Sequence, residues 1–270
     1  MTTALSDQIT LSHDELQSVA GLLGIFDLPS VLNVRSRYAT IPDRDVAFER
    51  ARRNLLARNM ITGGDVHPDL VAMLETLHRP DLQWAMRMVT PDGTARVVVA
   101  RRGSVAVLAR RISEVITLSP LGDGVEMPSM AKALASELRP AKAAPVEPFA
   151  APLQQFAECL SGTEDPVALA DRIRSLGAES KVALSLGPAL AARQAFAEIV
   201  VYALVADEDR ICRAPAAAGV FYTGRGRIVA VPSASPTGEI WTTVKAGTDH
   251  AVVQAITRLA ELTTAGGGDG

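Results

Sequence analysis

The sequence predicts an α+β fold: a central antiparallel sheet flanked by helical bundles, with two quasi-two-fold related halves. Three observations carry this. An order of short strand, helices, antiparallel meander and helix runs through residues 1–140 and is met again over 141–264. Each meander is made of apolar runs broken by turn sequences, so it can bury one face and leave the other in water. With 48% hydrophobic residues over 270, the chain can also fill a sizeable core.

In the first half, Ile9–Ser12 reads as a strand. Ser12 and Glu15 have the spacing of a capping box. Leu16, Val19, Ala20 and Leu23 recur on one face of the helix that follows, and Gly24 is its stop. Val31–Tyr38 alternates enough to read as a strand. A helix over Pro42–Arg58 draws its apolar contacts from Val46, Leu55 and Leu56, and Gly63-Gly64 marks a loop. Pro68 opens a helix lined by Leu70, Met73, Leu74 and Leu77. The meander starts at Leu82–Thr90, with Trp84, Met86 and Met88 on one face. It turns at Pro91-Asp92-Gly93, where proline presets φ and glycine accepts φ > 0. Ala95–Ala100, Val105–Arg110 and Val115–Leu118 continue it. A helix over Ser129–Leu138 closes the unit, and Pro140–Pro148 reads as a linker.

The second half follows the same plan. Val146–Phe149 is extended, and Pro152 begins a helix containing Leu153, Phe156, Ala157 and Leu160. Asp165-Pro166 is an N-cap with an N1 proline for a helix carrying Leu169, Ile173 and Leu176. Ser180 is placed to cap a third helix through Leu190. Ala195–Val205, Val220–Thr223, Arg227–Val231 and Ile240–Val244 supply strands. Asp249 is placed to cap a last helix with Val252, Val253, Ile256, Leu259 and Leu262 on its face.

Composition narrows the function classes. A net charge of −3 gives no basic footprint for nucleic acid, and 4% aromatic residues give few stacking platforms. Two cysteines, Cys159 and Cys212, make no disulfide framework and read as buried structural thiols. Met1–Thr10 has no apolar leader region, and no run of 18 apolar residues suggests a membrane span, so a cytoplasmic setting is expected. The glycine-rich tail, 265–270, is expected to be disordered.

No catalytic, cofactor or metal constellation emerges. Gly224-Arg225-Gly226-Arg227 lacks the lysine and hydroxyl of a phosphate loop. It sits between strands, where a hairpin turn needs glycine. His13, His67, His78 and His250 are scattered, without metal-ligand spacing. His13 with Asp14 and Glu15 reads as a solvated first helical turn. His67-Pro68-Asp69 reads as a helix start, and Asp207-Glu208-Asp209 as a solvated turn. No serine stands in a G-x-S-x-G elbow.

Several segments carry a resemblance by their order and spacing. They are Leu16–Gly24 followed by Leu28-Pro29, His78-Arg79-Pro80-Asp81, Val99-Ala100-Arg101-Arg102-Gly103 and Leu176-Gly177. Gly226-Arg227-Ile228-Val229, Trp241-Thr242-Thr243 and Gly247-Thr248-Asp249 complete the set. Over nearly its whole length the chain resembles the EspG family, cytoplasmic chaperones of type VII (ESX) secretion in mycobacteria and related actinobacteria. It departs from the family pattern at Tyr222, where an aspartate often precedes the threonine of the turn, and at Ala246, where a proline often precedes Gly-Thr.

The resemblance implies a non-enzymatic protein without cofactor. Its cargo would be a PE–PPE-type helical heterodimer gripped near the tip of the PPE helices. It places protein-binding contacts on Leu169, Ile173 and Leu176 with Val182 and Leu186, on Phe221, Tyr222 and Arg225, and on the Pro91-Asp92-Gly93 loop. The aliphatic stripe reads more readily as core than as interface, whereas Tyr222 and Arg225 are of types enriched at binding hot spots. Two alternatives stay open. One is a non-catalytic homodimer using the same face, which the cargo-free chaperone could also form. The other is an enzyme of unfamiliar type, which would need a deep polar pocket with clustered titratable groups.

Overall fold

A computed structural model describes residues 8–205 and 209–265. The expected tail beyond Ala265, residues 1–7, and Asp207 and Glu208 of the acidic turn lie outside these. The fold is mixed α+β, a large antiparallel sheet with flanking helices. The chain divides into two compact units, Met1–Ala85 with Ala95–Glu126, and Met86–Thr94 with Met127–Gly270.

In chain order the early elements are β1 (Ile9–Ser12), α1 (His13–Leu22), α2 (Ile41–Ala57), β2 (Ile61–Thr62), β3 (Asp65–Val66) and α3 (Pro68–His78). The meander β4 (Leu82–Thr90), β5 (Gly93–Arg102), β6 (Val105–Ile112) and β7 (Val115–Asp123) follows, then α4 (Met127–Ser136). The later elements are β8 (Phe149–Pro152), α5 (Leu153–Leu160), α6 (Pro166–Ser175) and α7 (Ser180–Ala191). They lead to β9 (Arg193–Val205), β10 (Arg210–Thr223), β11 (Gly226–Ala234), β12 (Ile240–Ala246) and α8 (Asp249–Ala265).

The two series share one connectivity. β1 precedes three helices and pairs antiparallel with β7, the last strand of its meander, through Ile9↔Leu118 and Leu11↔Ile116. β8 likewise precedes three helices and pairs antiparallel with β12, through Thr242↔Ala151 and Val244↔Phe149. Strand neighbours run β1-β7-β6-β5-β4 in one series and β9-β10-β11-β12-β8 in the other.

In the first unit, Leu16 and Val19 of α1, Leu55 of α2, and Leu70 and Leu74 of α3 share one core with Val98, Val107, Ile116 and Leu118 of the strands. The capping box is present: Glu15 N–H donates to Ser12 Oγ at 3.2 Å, and Ser12 N–H donates to the Glu15 carboxylate at 2.8 Å. Gly24 follows the C-cap Leu23 with φ +68°, a left-handed stop.

Several expectations are corrected here. Val31–Tyr38 is not a strand; Ser30–Leu32 is a short 3-10 turn and the rest is irregular. Side chains replace the ladder: Arg96 donates to Val31 O, Arg111 to Leu32 O and Asn33 O, and His13 Nε2 to Arg35 O at 2.8 Å. For the same reason His13 is buried rather than solvated. Glu15 is buried as well, held by Ser12 and by Arg58 at 3.4 Å. On α2 only Leu55 and Ala51 are buried; Val46 and Leu56 point to solvent. Gly63-Gly64 is a loop as expected, the turn of the small β2–β3 hairpin.

In the second unit, α5, α6 and α7 pack on one face of the strands. Phe156, Ile173, Val182, Leu186 and Leu190 share a core with Phe149, Ile228, Ala230 and Val244. By alternation Val229 and Val231 face the other side, where α8 brings Val252, Ile256 and Leu259. Asp165 caps α6 as expected, accepting from Val167 N and Ala168 N. Ser180 does not cap α7: it is the first helical residue, after a Glu179 that makes no cap bond. Nor does Asp249 cap α8. Thr248 Oγ1 accepts from Ala251 N at 3.1 Å, which leaves Asp249 free for an ion pair. Pro140–Pro148 is an ordered strap, with Ala144 and Val146 buried in the core.

Candidate functional site

The expected contact residues all belong to the second unit. On β10, register sets Phe221 directly opposite Phe196 of β9. Both rings are half-buried on the sheet face toward α5–α7, and Phe221 packs against the same core as Leu176 and Ile173. A Cβ on Gly219 would come within 3.1 Å of the Phe221 ring, so the ring lies over a glycine two residues back on its own strand. Further along this face Val200, Tyr202 and Leu204 are half-exposed. Glu198 among them lies 3.4 Å from Arg87 and 3.8 Å from Arg213. The face is thus apolar, with one charged cluster.

On the bundle, Leu169, Ile173 and Leu186 are fully buried and Val182 is buried; Leu176 is half-buried. The exposed apolar residues of α6 and α7 are Val167 at 68% and Leu184 at 65%, and the sequence reading named neither. The signal was present in principle, since both are apolar and fall off the buried stripe of their helices. The two helices touch closely: a Cβ on Gly187 would sit 2.6 Å from Ala170 N.

Tyr222 and Arg225 part company. Tyr222, one residue on from Phe221, faces α8, is buried, and donates its hydroxyl to Arg139 O at 3.0 Å. Burial pushes its phenol above the ordinary range, against the pull of Arg227 and Arg139. Arg225 is exposed in the two-residue loop between β10 and β11. Its N–H donates to Thr223 Oγ1 at 3.1 Å, while the Thr223 hydroxyl donates to Gly226 O at 2.8 Å. The guanidinium of Arg225 has no partner among the described residues. The Pro91-Asp92-Gly93 loop is the exposed β4–β5 turn, where Thr90 donates to Gly93 O.

The sequence reading also missed Arg227. Its guanidinium, 4% exposed, donates from Nε to Gly247 O at 2.7 Å and pairs through Nη2 with the open Asp249 carboxylate. Beside it lies a cleft of about 300 Å³ lined by Lys132, Leu138, Pro140, Val252 and Val253 with Arg227 and Asp249.

Among the described residues no group of three or more His, Cys, Asp or Glu is placed to hold a metal ion. Cys159 and Cys212 are both free, and burial raises the Cys159 thiol. No described helix is long and apolar enough to cross a membrane. What the fold offers instead is a half-exposed apolar sheet face, a two-helix hairpin with exposed aliphatics, and an unpaired arginine on a pinned turn.

The comparisons with known proteins give the family. A model of the EspG family matches residues 12–258, and the chain belongs to that family. It is 27% identical to the ESX-1 secretion-associated protein EspG1 of Mycobacterium tuberculosis, over 96% of this chain and 88% of that one. It is 25% identical to the ESX-3 secretion-associated protein EspG3 of Mycolicibacterium smegmatis, over 93% and 85%. Among solved structures it is similar in fold to a chain of the Mycobacterium tuberculosis type VII secretion system chaperone EspG5 in complex with the PE25–PPE41 dimer. The TM-score is 0.77 at 18% identity, covering 94% of this chain and 96% of that one.

Proposed function

We propose that this chain is a non-catalytic chaperone of a type VII (ESX) secretion system. It binds a PE–PPE-type helical heterodimer near the tip of the PPE helices, keeps it soluble and delivers it for secretion. The observation that carries this is the apolar surface of the second unit: the half-buried Phe196 and Phe221 on the sheet, and the exposed Val167 and Leu184 on the helical hairpin. A helical partner with an apolar tip would cover such a surface, with Arg225 as a polar contact at its rim. Family membership and the fold shared with an EspG5 chain support the same reading. Within it, Phe221, Leu176 and Arg225 touch the cargo, while Leu169, Ile173 and Tyr222 shape the surface from beneath.

The test is co-expression with PE–PPE pairs encoded nearby, followed by size-exclusion chromatography with light scattering. A 1:1:1 complex weakened by Leu184→Asp and by Arg225→Glu is the expected result. A constant monomer in the presence of every such pair would overturn the reading. A mass that doubles with concentration, abolished by the same substitutions and blind to the pairs, would replace it with a homodimer.

A further inference from the structure

We propose that Arg227 is a positioning residue for partner binding: it ties the first part of the strap, with Lys142 and Ala144, and the start of α8 to the Gly224-Arg225 turn, and so fixes how Arg225 is presented. The proposal rests on the chaperone reading above.

Both the backbone and the side chain of Arg227 are committed. Its N–H donates to Lys142 O at 2.7 Å, and its carbonyl accepts from Ala144 N at 2.9 Å and from Gly247 N at 2.8 Å. The side chain adds the bond to Gly247 O and the Asp249 pair. One residue thereby joins three segments distant in sequence. Tyr222, its partner across the β10–β11 ladder, holds the same strap at Arg139 O.

The next rung, Thr223↔Gly226, closes the two-residue turn, and Thr223 bonds both Arg225 N and Gly226 O. Arg227 is therefore separated from the exposed Arg225 by one glycine that is itself fixed from two sides. Leu138 just before the strap is buried, and Pro140 at its start lines the cleft of about 300 Å³ beside Asp249, so between them and the buried Ala144 the strap is tied by the bonds to Tyr222 and Arg227. A guanidinium suits the role because its planar fork reaches a carbonyl and a carboxylate at once. The single ammonium of lysine is a point charge without that fork.

The experiment uses the full chain and the PE–PPE pair that copurifies with it. Hydrogen exchange of the free protein is read over residues 139–145 and 223–228, and affinity is measured well below each variant's melting temperature. Arg227→Lys should speed exchange in both segments and weaken the pair about tenfold, because one ammonium cannot reproduce the fork that reaches both the Gly247 carbonyl and the Asp249 carboxylate. Arg225→Ala should weaken the pair while leaving strap exchange as in wild type. Should Arg227→Lys fail to fold, Asp249→Asn, on an exposed side chain, is expected to loosen the same segments to a lesser degree. Unchanged strap exchange, or a freed strap with wild-type affinity, would overturn the proposal, the second outcome leaving Arg227 a structural tie alone. Failure of wild type to bind any pair would sink the chaperone reading and the partner role with it, while the exchange data would still show whether Arg227 holds the strap.

Discussion

Gly226 and Lys142 approach so closely that neither can give way: a Cβ on Gly226 would stand 2.6 Å from the carbonyl oxygen of Lys142. Backbone atoms of Ala143 and Ala144 crowd the same point at 2.9 and 2.8 Å. The strap crosses the hairpin at the one residue that leaves it room, and Gly226 also holds φ +122°, which side chains disfavour.

Gly226→Ala should therefore destabilise the fold by about 2 kcal/mol or more, because strain and a backbone clash act together. Gly224, two residues earlier in the same turn, has nothing within 4 Å of its would-be Cβ and no positive φ. Gly224→Ala should stay within about 0.5 kcal/mol of wild type. Urea unfolding of the two variants checks this. Equal effects would mean that the turn, not the strap, sets the need for glycine.

The α6–α7 hairpin depends on a similar contact. Gly187 has Ala170 N, Cα and Cβ within 2.6, 2.7 and 2.8 Å of where a side chain would start. Gly187→Ala should cost about 2 kcal/mol or more by prying the two helices apart. Adding Ala170→Gly should not restore stability, since two of the three clashing atoms are backbone. Thermal unfolding of the single and double variants decides; full rescue would show that only the two side chains meet.

How far the fold could be read from the chain depended on where the information lay. The capping box at Ser12 and Glu15, the N1 prolines at 68 and 166 and the helical stripe of α3 are local signals, and the structure has them in place. The Val31–Tyr38 strand failed because alternation is shared by strands and by irregular chain whose carbonyls are met by distant side chains, here Arg96, Arg111 and His13. β10 was read only from Val220. Its earlier part, Arg210 to Gly219, holds small residues and Pro215, and the ladder with β9 is irregular between Arg213 and Ala217, so no strand period shows.

The candidate site was legible as a hairpin and a helix stripe, but its layering was not. A one-residue step along β10 puts Phe221 toward one layer of helices and Tyr222 toward the other. Arg227 looked like one more turn arginine. Its burial is set by Gly247 and Asp249, 20 and 22 residues away.

Tyr222 gives the one pH-dependent expectation. Burial holds its phenol above the ordinary value of 10.0, so the folded chain keeps this proton at a pH where the unfolded chain has begun to lose it. Above about pH 10 the unfolded state thus binds fewer protons, and stability falls as pH rises. The contribution is whole below the unfolded value and is lost as pH climbs through the folded one. Tyr222→Phe should cost about 1 kcal/mol at neutral pH, by loss of the hydrogen bond to Arg139 O. It should also flatten the alkaline limb, so the gap to wild type narrows from about pH 10 upward. Tyr38, whose phenol is also raised by burial, titrates in both proteins and cancels from the difference. Urea unfolding of both proteins from pH 8 to pH 11 measures the gap. A constant gap across that range would mean that Tyr222 ionises as readily in the fold as outside it, and that its ring is not held beneath the strap.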